Sequence, residues 1–216
     1  MRANRLPSLV ALNIIIAKQY KKINRCSINI QLKTMNKNSD KTIIKSDKMT
    51  IKVCGIEPES IVDGPGFRYV LFVQGCPHHC PGCHNPESWA KDAGEEMTIG
   101  EIMDEILANP NLGGITFSGG EPFEQVPALL ELAKLIKAEG LHLMGYSGYT
   151  LEELKDRHDE ETDELLGLLD MLVDGRYIEK ERNLTLVYRG SENQRVIDMN
   201  KTREEGRIVL YRSEFE

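Results

Sequence analysis

The feature that most constrains the fold is an alternation of strand-like and helix-like segments that begins near Met49. Short apolar runs rich in β-branched and aromatic residues predict buried strands, and turn residues mark their ends. The predicted strands are Ile51–Ile56, Phe67–Gln74, Gly114–Ser118, Leu141–Tyr146, Met171–Asp174, Leu184–Tyr188 and Ile208–Tyr211. Strands that alternate with helices in this way predict an α/β fold built on a mostly parallel sheet.

The segments between the strands carry helix signals. Thr98 and Glu101 form a capping-box pattern that opens one helix, and Thr150 begins a similar pattern before a later helix rich in Glu and Leu. The apolar face of the first helix consists of Ile99, Ile102, Met103 and Ile106. Another helix is predicted from about Glu124 to Glu139, where Gly140 stops it. Its buried stripe comprises Val126, Leu129, Leu130, Ala133 and Ile136.

Charge is distributed unevenly along the 216 residues. Residues 1–48 contain 11 lysines and arginines against 2 acidic residues, whereas residues 49–216 contain 16 basic and 32 acidic residues. Because the main body is acidic, its bulk charge argues against nucleic acid as a partner. The apolar run from Leu6 to Ala17 is too short to cross a bilayer comfortably, so we expect no membrane association.

The chain has five cysteines, and three of them fall within eight residues. An odd number with this spacing does not fit the disulfide framework of a secreted protein. Metal or redox use in a reducing compartment fits better, and we expect that compartment to be the cytoplasm. Cys76, Cys80 and Cys83 lie in a loop shaped by Pro and Gly, between Gly75 and Pro86. Thiolates so close together can all face one point, which suits an iron–sulfur cluster or a zinc ion.

The fourth ligand separates these two possibilities. A cluster of four irons that is ligated entirely by protein usually takes four cysteines. Cys54 lies on a predicted strand, where a small buried apolar residue is the simpler interpretation, and Cys26 lies in the basic N-terminal segment. Three thiolates would therefore leave one iron open for a small molecule, as catalytic zinc sites keep an open position. The alternative is zinc bound by the three cysteines together with His78, His79 or His84.

The chemically distinctive motifs all follow predicted strands. They are the cysteine loop after Phe67–Gln74, Gly119-Gly120-Glu121, Tyr146-Ser147-Gly148 and Asp174-Gly175. Right-handed crossovers place the carboxyl ends of parallel strands at one edge of the sheet. Active sites of such folds lie along that edge. We therefore expect the four motifs to converge on one site.

The spacing Cys-x3-Cys-x2-Cys, together with Gly-Gly-Glu after a later strand, resembles the radical S-adenosylmethionine enzymes. The chain is most similar to their activating-enzyme branch and, within it, to the activating proteins of anaerobic ribonucleoside-triphosphate reductases. The matching segments are Val62–Arg68, Phe72–Trp89, Ser118–Pro122, Tyr146–Thr150, Val173–Tyr177 and Arg189–Asp198. One departure is visible, because many radical S-adenosylmethionine enzymes carry an aromatic residue immediately before the third cysteine, where this chain has Gly82.

The resemblance implies an open, incomplete TIM-like barrel of mostly parallel strands. It also implies that Cys76, Cys80 and Cys83 ligate a [4Fe–4S] cluster, whose open iron is chelated by S-adenosyl-L-methionine. The cofactor contacts that it implies are Gly82, Cys83, His84, Gly119, Gly120, Glu121 and Ser147. In this set the backbone of residues 82–84 is expected against the adenine, and the two later glycines against the methionine moiety. Glu121 is expected near the ammonium group of that moiety.

The reaction implied by the resemblance begins with an electron from a flavodoxin- or ferredoxin-type reductant. Reductive cleavage of S-adenosylmethionine gives methionine and a 5′-deoxyadenosyl radical, which takes a hydrogen atom from a glycine Cα of the partner, an anaerobic ribonucleoside-triphosphate reductase. The cofactor carries this chemistry, so no acid–base side chain is expected. Asp63–Gly66 and Arg189–Asp198 are candidate contacts for the partner's loop. The alternatives are an activase of another glycyl-radical enzyme, such as pyruvate formate-lyase, and a non-catalytic zinc-binding interaction module.

Residues 1–48 differ in character from the rest. We predict that they are a basic, disordered extension or an overextended gene start, and that residues 49–216 form the radical S-adenosylmethionine activase domain. Protein that starts at Met49 should therefore keep full activity and take up as much iron per chain as the complete protein. A truncated protein that no longer binds the cluster would contradict this prediction.

Overall fold

The computed structural model describes residues 48–212. All of them belong to one compact unit that begins at Ser46. The predicted N-terminal extension lies outside the described residues, apart from its last residue, Lys48. Residues 49–212 therefore belong to the predicted activase domain.

One seven-stranded sheet organises this unit. Its strands are β1 (Thr50–Ser60), β2 (Arg68–Val73), β3 (Glu95–Thr98), β4 (Gly114–Gly119), β5 (His142–Tyr146), β6 (Met171–Asp174) and β7 (Arg195–Asp198). They lie side by side in the order β3-β1-β2-β4-β5-β6-β7. Neighbours from β2 to β6 are parallel, whereas β1 and β7 run antiparallel to the strands beside them. In the described part of the chain the sheet ends at β3 and β7 without closing, which confirms an open α/β fold of the partial TIM-like barrel type.

Five α-helices accompany the sheet in residues 48–212. They are α1 (Ile99–Ala108), α2 (Val126–Ala138), α3 (Leu151–Lys155), α4 (Glu160–Leu168) and α5 (Met199–Glu205). Both predicted capping boxes are present, at the starts of α1 and α3, where Thr98 and Thr150 accept from the backbone three residues on. Among these residues no helix has the length and apolar character that crossing a membrane would require.

The main core lies between the helices and one face of the sheet. Strand residues such as Leu71, Ile115 and Leu143 are fully buried there. The predicted apolar faces of α1 and α2 are confirmed, because every residue named for them is buried. The opposite face of the sheet carries a smaller cluster made of Met144, Met171, Val173 and Val196. The parallel strands are thus covered on both faces, as is usual for α/β sheets.

The structure corrects several predicted elements. The predicted strand 184–188 is wrong, because these residues form turns and bends, and Tyr188 has a φ of 60°, outside the β region. The predicted strand 208–211 is reduced to a single bridge between Leu210 and Ile197. Strands β3 and β7 were not predicted. The helix after Thr150 is two helices, α3 and α4.

A buried arginine fixes the turn that precedes β2. Arg68 is fully buried, and its Nε donates to Thr116 Oγ1 (2.7 Å) while its Nη1 donates to Pro65 O (3.0 Å). Thr116 Oγ1 in turn donates to Asp63 O (2.7 Å). Burial lowers the pKa of Arg68 to about 10. The turn that contains Asp63 is therefore held against β4 by hydrogen bonds from the sheet interior.

Candidate active site

Loops that follow β2, β4, β5 and β6 border one cavity of about 530 Å³. Its wall includes Cys76, Cys80, Cys83, Gly119, Gly120, Ser147, Gly148 and Gly175. The predicted convergence of the four motifs is therefore confirmed, since residues from each of them line the same cavity. A volume of this size lies within the range of about 300–1,000 Å³ that is typical of small-molecule sites.

Backbone hydrogen bonds hold the cysteine loop, residues 75–85, in place. Gly75 N donates to Ser88 O (2.7 Å) and Cys76 N donates to Trp89 O (3.2 Å). These two bonds tie the start of the loop to the segment that follows it. Glu121 N donates to Gly75 O (2.8 Å), so the turn after β4 also contacts the start of the loop. The loop is therefore positioned by two different parts of the chain.

One clustered thiol accepts a backbone hydrogen bond, from Asn85 N to Cys83 Sγ (3.4 Å). Backbone donors act on the pKa of the other two thiols: those of His78 and His79 on Cys76, and that of Tyr177 on Cys80. Burial raises the pKa of Cys76 and of Cys80, and these backbone donors act in the opposite direction. The thiols are free and half-buried. A bound cation would supply the positive charge that favours their deprotonated form.

This donor set fits an iron–sulfur cluster. Thiolates are the usual ligands of such clusters, and hydrogen bonds to sulfur together with burial are the means by which proteins tune them. The three cysteines line one cavity together with Gly119, Gly120 and Gly175, and its volume leaves room for a further molecule. Within residues 48–212, no three side chains of His, Cys, Asp or Glu are grouped as ligands of a single metal ion would be.

Glu121 is fully buried, and its carboxylate accepts four hydrogen bonds from protein donors. The donors to Oε1 are Phe123 N (3.1 Å) and Ser147 Oγ (3.0 Å), and those to Oε2 are His78 Nε2 (2.9 Å) and Gly148 N (2.8 Å). The carboxylate thereby connects the turn after β4 with the loop after β5 and with the cysteine loop. It is absent from the cavity lining, although Gly119 and Gly120 belong to it.

His78 has a partner on each ring nitrogen. Arg176 Nε donates to Nδ1 (3.2 Å), so the hydrogen of the ring lies on Nε2, which donates to Glu121. The ring also meets the edge of Tyr149, with centroids 4.3 Å apart. Its side chain is 5% exposed. His78 therefore joins the cysteine loop to the loops after β4, β5 and β6.

Three further residues that the sequence singled out, His84, Gly82 and Cys54, differ in their position relative to the cavity. His84 lines the cavity, and its ring centroid lies 5.2 Å from that of Tyr177. Gly82 is exposed with a φ of 74°, and a Cβ there would approach the carboxylate of Glu179 to 3.0 Å. Cys54 is half-buried on β1 and is not among the residues that line the cavity.

Sequence reasoning missed several residues of the site. The sequence indicates His78 only as a loop residue or zinc ligand, and it gives Arg176 no individual role. Leu184 and Tyr188 belong to the cavity wall, although a strand was predicted there. Trp89 lines the cavity as well, and its ring stacks on His79 with centroids 4.9 Å apart. The positions of these residues depend on contacts between distant segments, which a local pattern does not signal.

The fold and the cavity define an iron–sulfur protein with a site for one cluster. The family model described as a 4Fe-4S single cluster domain matches residues 62–197, which contain the cysteine loop and the Gly-Gly-Glu turn. This match covers more than half of the chain. It agrees with the cluster that the sulfur donors and the cavity favour.

Comparison with curated relatives shows to which family of iron–sulfur proteins the chain belongs. The anaerobic ribonucleoside-triphosphate reductase-activating proteins of Salmonella typhi and Escherichia coli K12 are each 38% identical over 146 residues, covering 63% of this chain and 92% of theirs. The pyruvate formate-lyase-activating enzyme of Staphylococcus epidermidis is 35% identical over 151 residues, covering 66% of this chain and 59% of that enzyme. The chain belongs to the family of the anaerobic ribonucleoside-triphosphate reductase-activating proteins.

Proposed function

We propose that the protein activates an anaerobic ribonucleoside-triphosphate reductase by cleaving S-adenosylmethionine reductively and generating a glycyl radical on that partner. The observation that carries this proposal is the cavity shared by the three cysteines and the glycine turn after β4. The family supports it, because relatives that this chain covers over 92% of their length are named as activating proteins of that reductase. The partner class common to all the reported relatives is a glycyl-radical enzyme.

In this proposal Cys76, Cys80 and Cys83 hold a [4Fe–4S] cluster through their thiolates. When bound, such a cluster supplies the electron for the cleavage and an open iron for S-adenosylmethionine. The hydrogen bond from Asn85 N stabilises the thiolate of Cys83 as a ligand, and the backbone donors of His78, His79 and Tyr177 act in the same sense on the pKa of Cys76 and Cys80. Gly119 and Gly120 border the cavity with their backbone, against which we propose that the methionine moiety lies. The backbone of residues 82–84 and Ser147 remain proposed contacts.

The partner's glycine loop must enter the cavity from outside. Two exposed apolar side chains border it from different segments, Val62 at 71% exposure and Leu184 at 78%. Exposed apolar groups beside a cavity favour contact with a polypeptide more than with solvent. We propose that Val62 and Leu184 contact the loop that carries the reactive glycine. Asp63–Gly66 and Arg189–Asp198 remain the neighbouring candidates.

The same proposal includes the electron donor, the cellular compartment and the kinds of partner. The electron donor would be a flavodoxin- or ferredoxin-type protein, because a low-potential one-electron source is required. The cytoplasm suits an oxygen-sensitive cluster. Neither nucleic acid nor a membrane is proposed as a partner, in keeping with the acidic charge of residues 49–216.

The direct test is formation of 5′-deoxyadenosine. Protein purified without oxygen, reconstituted with iron and sulfide, and reduced with dithionite should form 5′-deoxyadenosine from S-adenosylmethionine over time. Addition of the reductase should then produce a glycyl radical that is visible by electron paramagnetic resonance. Protein that carries a full cluster and still forms no 5′-deoxyadenosine, with or without the partner, would contradict the proposal.

The second candidate is an activase of pyruvate formate-lyase, favoured by relatives that bear that name at 35% identity. The same radical signal, measured with each partner in separate reactions, distinguishes the two. The zinc-binding module would leave the protein colourless, with zinc and no iron after anaerobic purification. Iron, sulfide and zinc analysis therefore distinguishes the iron–sulfur enzyme from the zinc-binding module before any activity is measured.

A further inference from the structure

The carboxylate of Glu121 has no acceptor site left for a ligand. A carboxylate offers about four acceptor sites, two on each oxygen. All four are used by the protein donors described above, which include two backbone N–H groups, a serine hydroxyl and a histidine ring. The side chain is also fully buried. An ammonium group could reach Glu121 only by displacing one of these donors.

His78 lies midway between two of the clustered cysteines, two residues from Cys76 and two from Cys80. Its ring is anchored outside the loop, by Glu121 at Nε2 and by Arg176 at Nδ1. An anchored ring restricts the backbone to which it is attached. The side chain of His78 therefore fixes the stretch of backbone that lies between two ligand cysteines.

We infer that Glu121 acts on the cysteine loop through His78, and that both are positioning residues for the cluster. The His78–Glu121 clasp, as we name this pair, holds the loop in the conformation that presents its thiols to the cavity. This assignment rests on the proposed function, since it takes the three cysteines as cluster ligands. It replaces the expected contact between Glu121 and the ammonium group of the cofactor.

The chemistry of the pair explains why a carboxylate and a histidine are needed. Both oxygens of Glu121 accept hydrogen bonds. A glutamine at this position would place its NH2 group, which cannot accept a hydrogen bond, against some of the same donors. His78 must donate through Nε2 and accept through Nδ1 at the same time, which a neutral imidazole does. Glutamine at position 78 can still donate one hydrogen bond to Glu121. It is therefore the conservative replacement that retains part of the clasp.

The test measures how fast the reconstituted holoprotein loses iron to a chelator without oxygen. Glu121→Gln and His78→Ala should each speed iron loss roughly ten- to hundred-fold, the range found when groups that orient metal ligands are removed. The double variant should lose iron no more than about three-fold faster than the faster single variant, because both changes break one connection. His78→Gln should restore part of the wild-type rate.

Two controls separate the clasp from general destabilisation and from direct cofactor contact. Glu131→Gln changes a partly exposed carboxylate on α2 that pairs with Lys134 and does not line the cavity, and it should lose iron at the wild-type rate. S-adenosylmethionine binding to the fraction of Glu121→Gln that retains a full cluster, measured by equilibrium dialysis, should stay within about three-fold of wild type. Because His78 lies in the cysteine loop and not in the sheet, His78→Ala tests the clasp even if Glu121→Gln does not fold.

Two results would overturn the assignment. One is a Glu121→Gln protein that keeps its iron like wild type but binds S-adenosylmethionine at least about ten-fold more weakly, which would place the carboxylate on the cofactor. The other is an unchanged rate of iron loss in His78→Ala. Wild-type protein that takes up no cluster at all would instead overturn the proposed function on which the clasp rests.

Discussion

A Cys80→Ala protein will carry no complete [4Fe–4S] cluster and will form at least about a thousand-fold less 5′-deoxyadenosine than wild type. Removing one of three thiolates leaves two protein ligands in the loop, too few to retain a cluster whose remaining iron is open. The cluster and the activity are lost because one cluster ligand is missing, and not because the protein unfolds. Cys80 is half-buried in a loop, so its replacement removes one sulfur at a site that already borders a cavity. We expect the free energy of unfolding of the apoprotein to change by less than about 1 kcal/mol.

Cys54→Ala is the matched control for this prediction. Its thiol is also free and half-buried, but it lies on β1 and does not line the cavity. This variant should retain wild-type iron, sulfide and activity. Iron and sulfide content, the visible absorption of the cluster and product formation should all be measured on the same preparations. Continued cleavage of S-adenosylmethionine by Cys80→Ala would show that Cys80 is not a required ligand.

The sequence was most informative where local chemistry decides local structure. The capping boxes at Thr98 and Thr150 satisfy backbone donors within one helical turn, so their residues suffice to predict where α1 and α3 begin. The convergence of the motifs was also predictable, because parallel strands place their carboxyl ends together. The cysteine loop and the glycine turn then had to meet, even though 35 residues separate Cys83 from Ser118.

The prediction of a strand at residues 184–188 failed for a physical reason. Residues 184–188 have the β-branched and aromatic composition of a strand, yet Leu184, Leu186 and Tyr188 border the cavity instead of joining the sheet. The edge of β6 is taken by β7, which pairs with it from Met171↔Asp198 to Asp174↔Arg195. β3 was missed because it is short and begins with two glutamates, a composition more typical of a protected edge than of a core strand. Strand pairing depends on which edge is available, and this is a property of the whole sheet.

The role of Glu121 shows a similar limit at the site. Its motif indicates a turn after a strand, but its partner His78 lies 43 residues away and its partner Ser147 lies 26 residues away. Neither spacing produces a periodic pattern. Whether the carboxylate faces the cavity or the protein interior depends on these distant donors. The motif could therefore suggest an ionic contact with the cofactor, whereas the geometry favours a contact with the loop.

Gly119→Ala should destabilise the protein by about 3–5 kcal/mol, the largest effect on stability expected from the addition of one methyl group at this site. Two costs combine there. Gly119 has a φ of 94°, which L side chains rarely adopt, and a Cβ would lie 2.6 Å from the backbone of Phe72 and Val73. Neither neighbour is a flexible side chain, so β2 or β4 must shift. Such a shift would also disturb the cysteine loop, because that loop continues directly from β2.

Two other glycines separate the cost of a positive φ from the cost of a Cβ clash. Gly140 also has a positive φ, of 74°, but no atom lies within 4 Å of its Cβ position, so Gly140→Ala should cost only about 1 kcal/mol. Gly167 lies in α4 with neither constraint, and Gly167→Ala should stabilise by up to about 1 kcal/mol. Urea unfolding of the three apoproteins gives the comparison. If Gly119→Ala cost no more than Gly140→Ala, the close approach of β2 and β4 beside the cavity would not constrain this position.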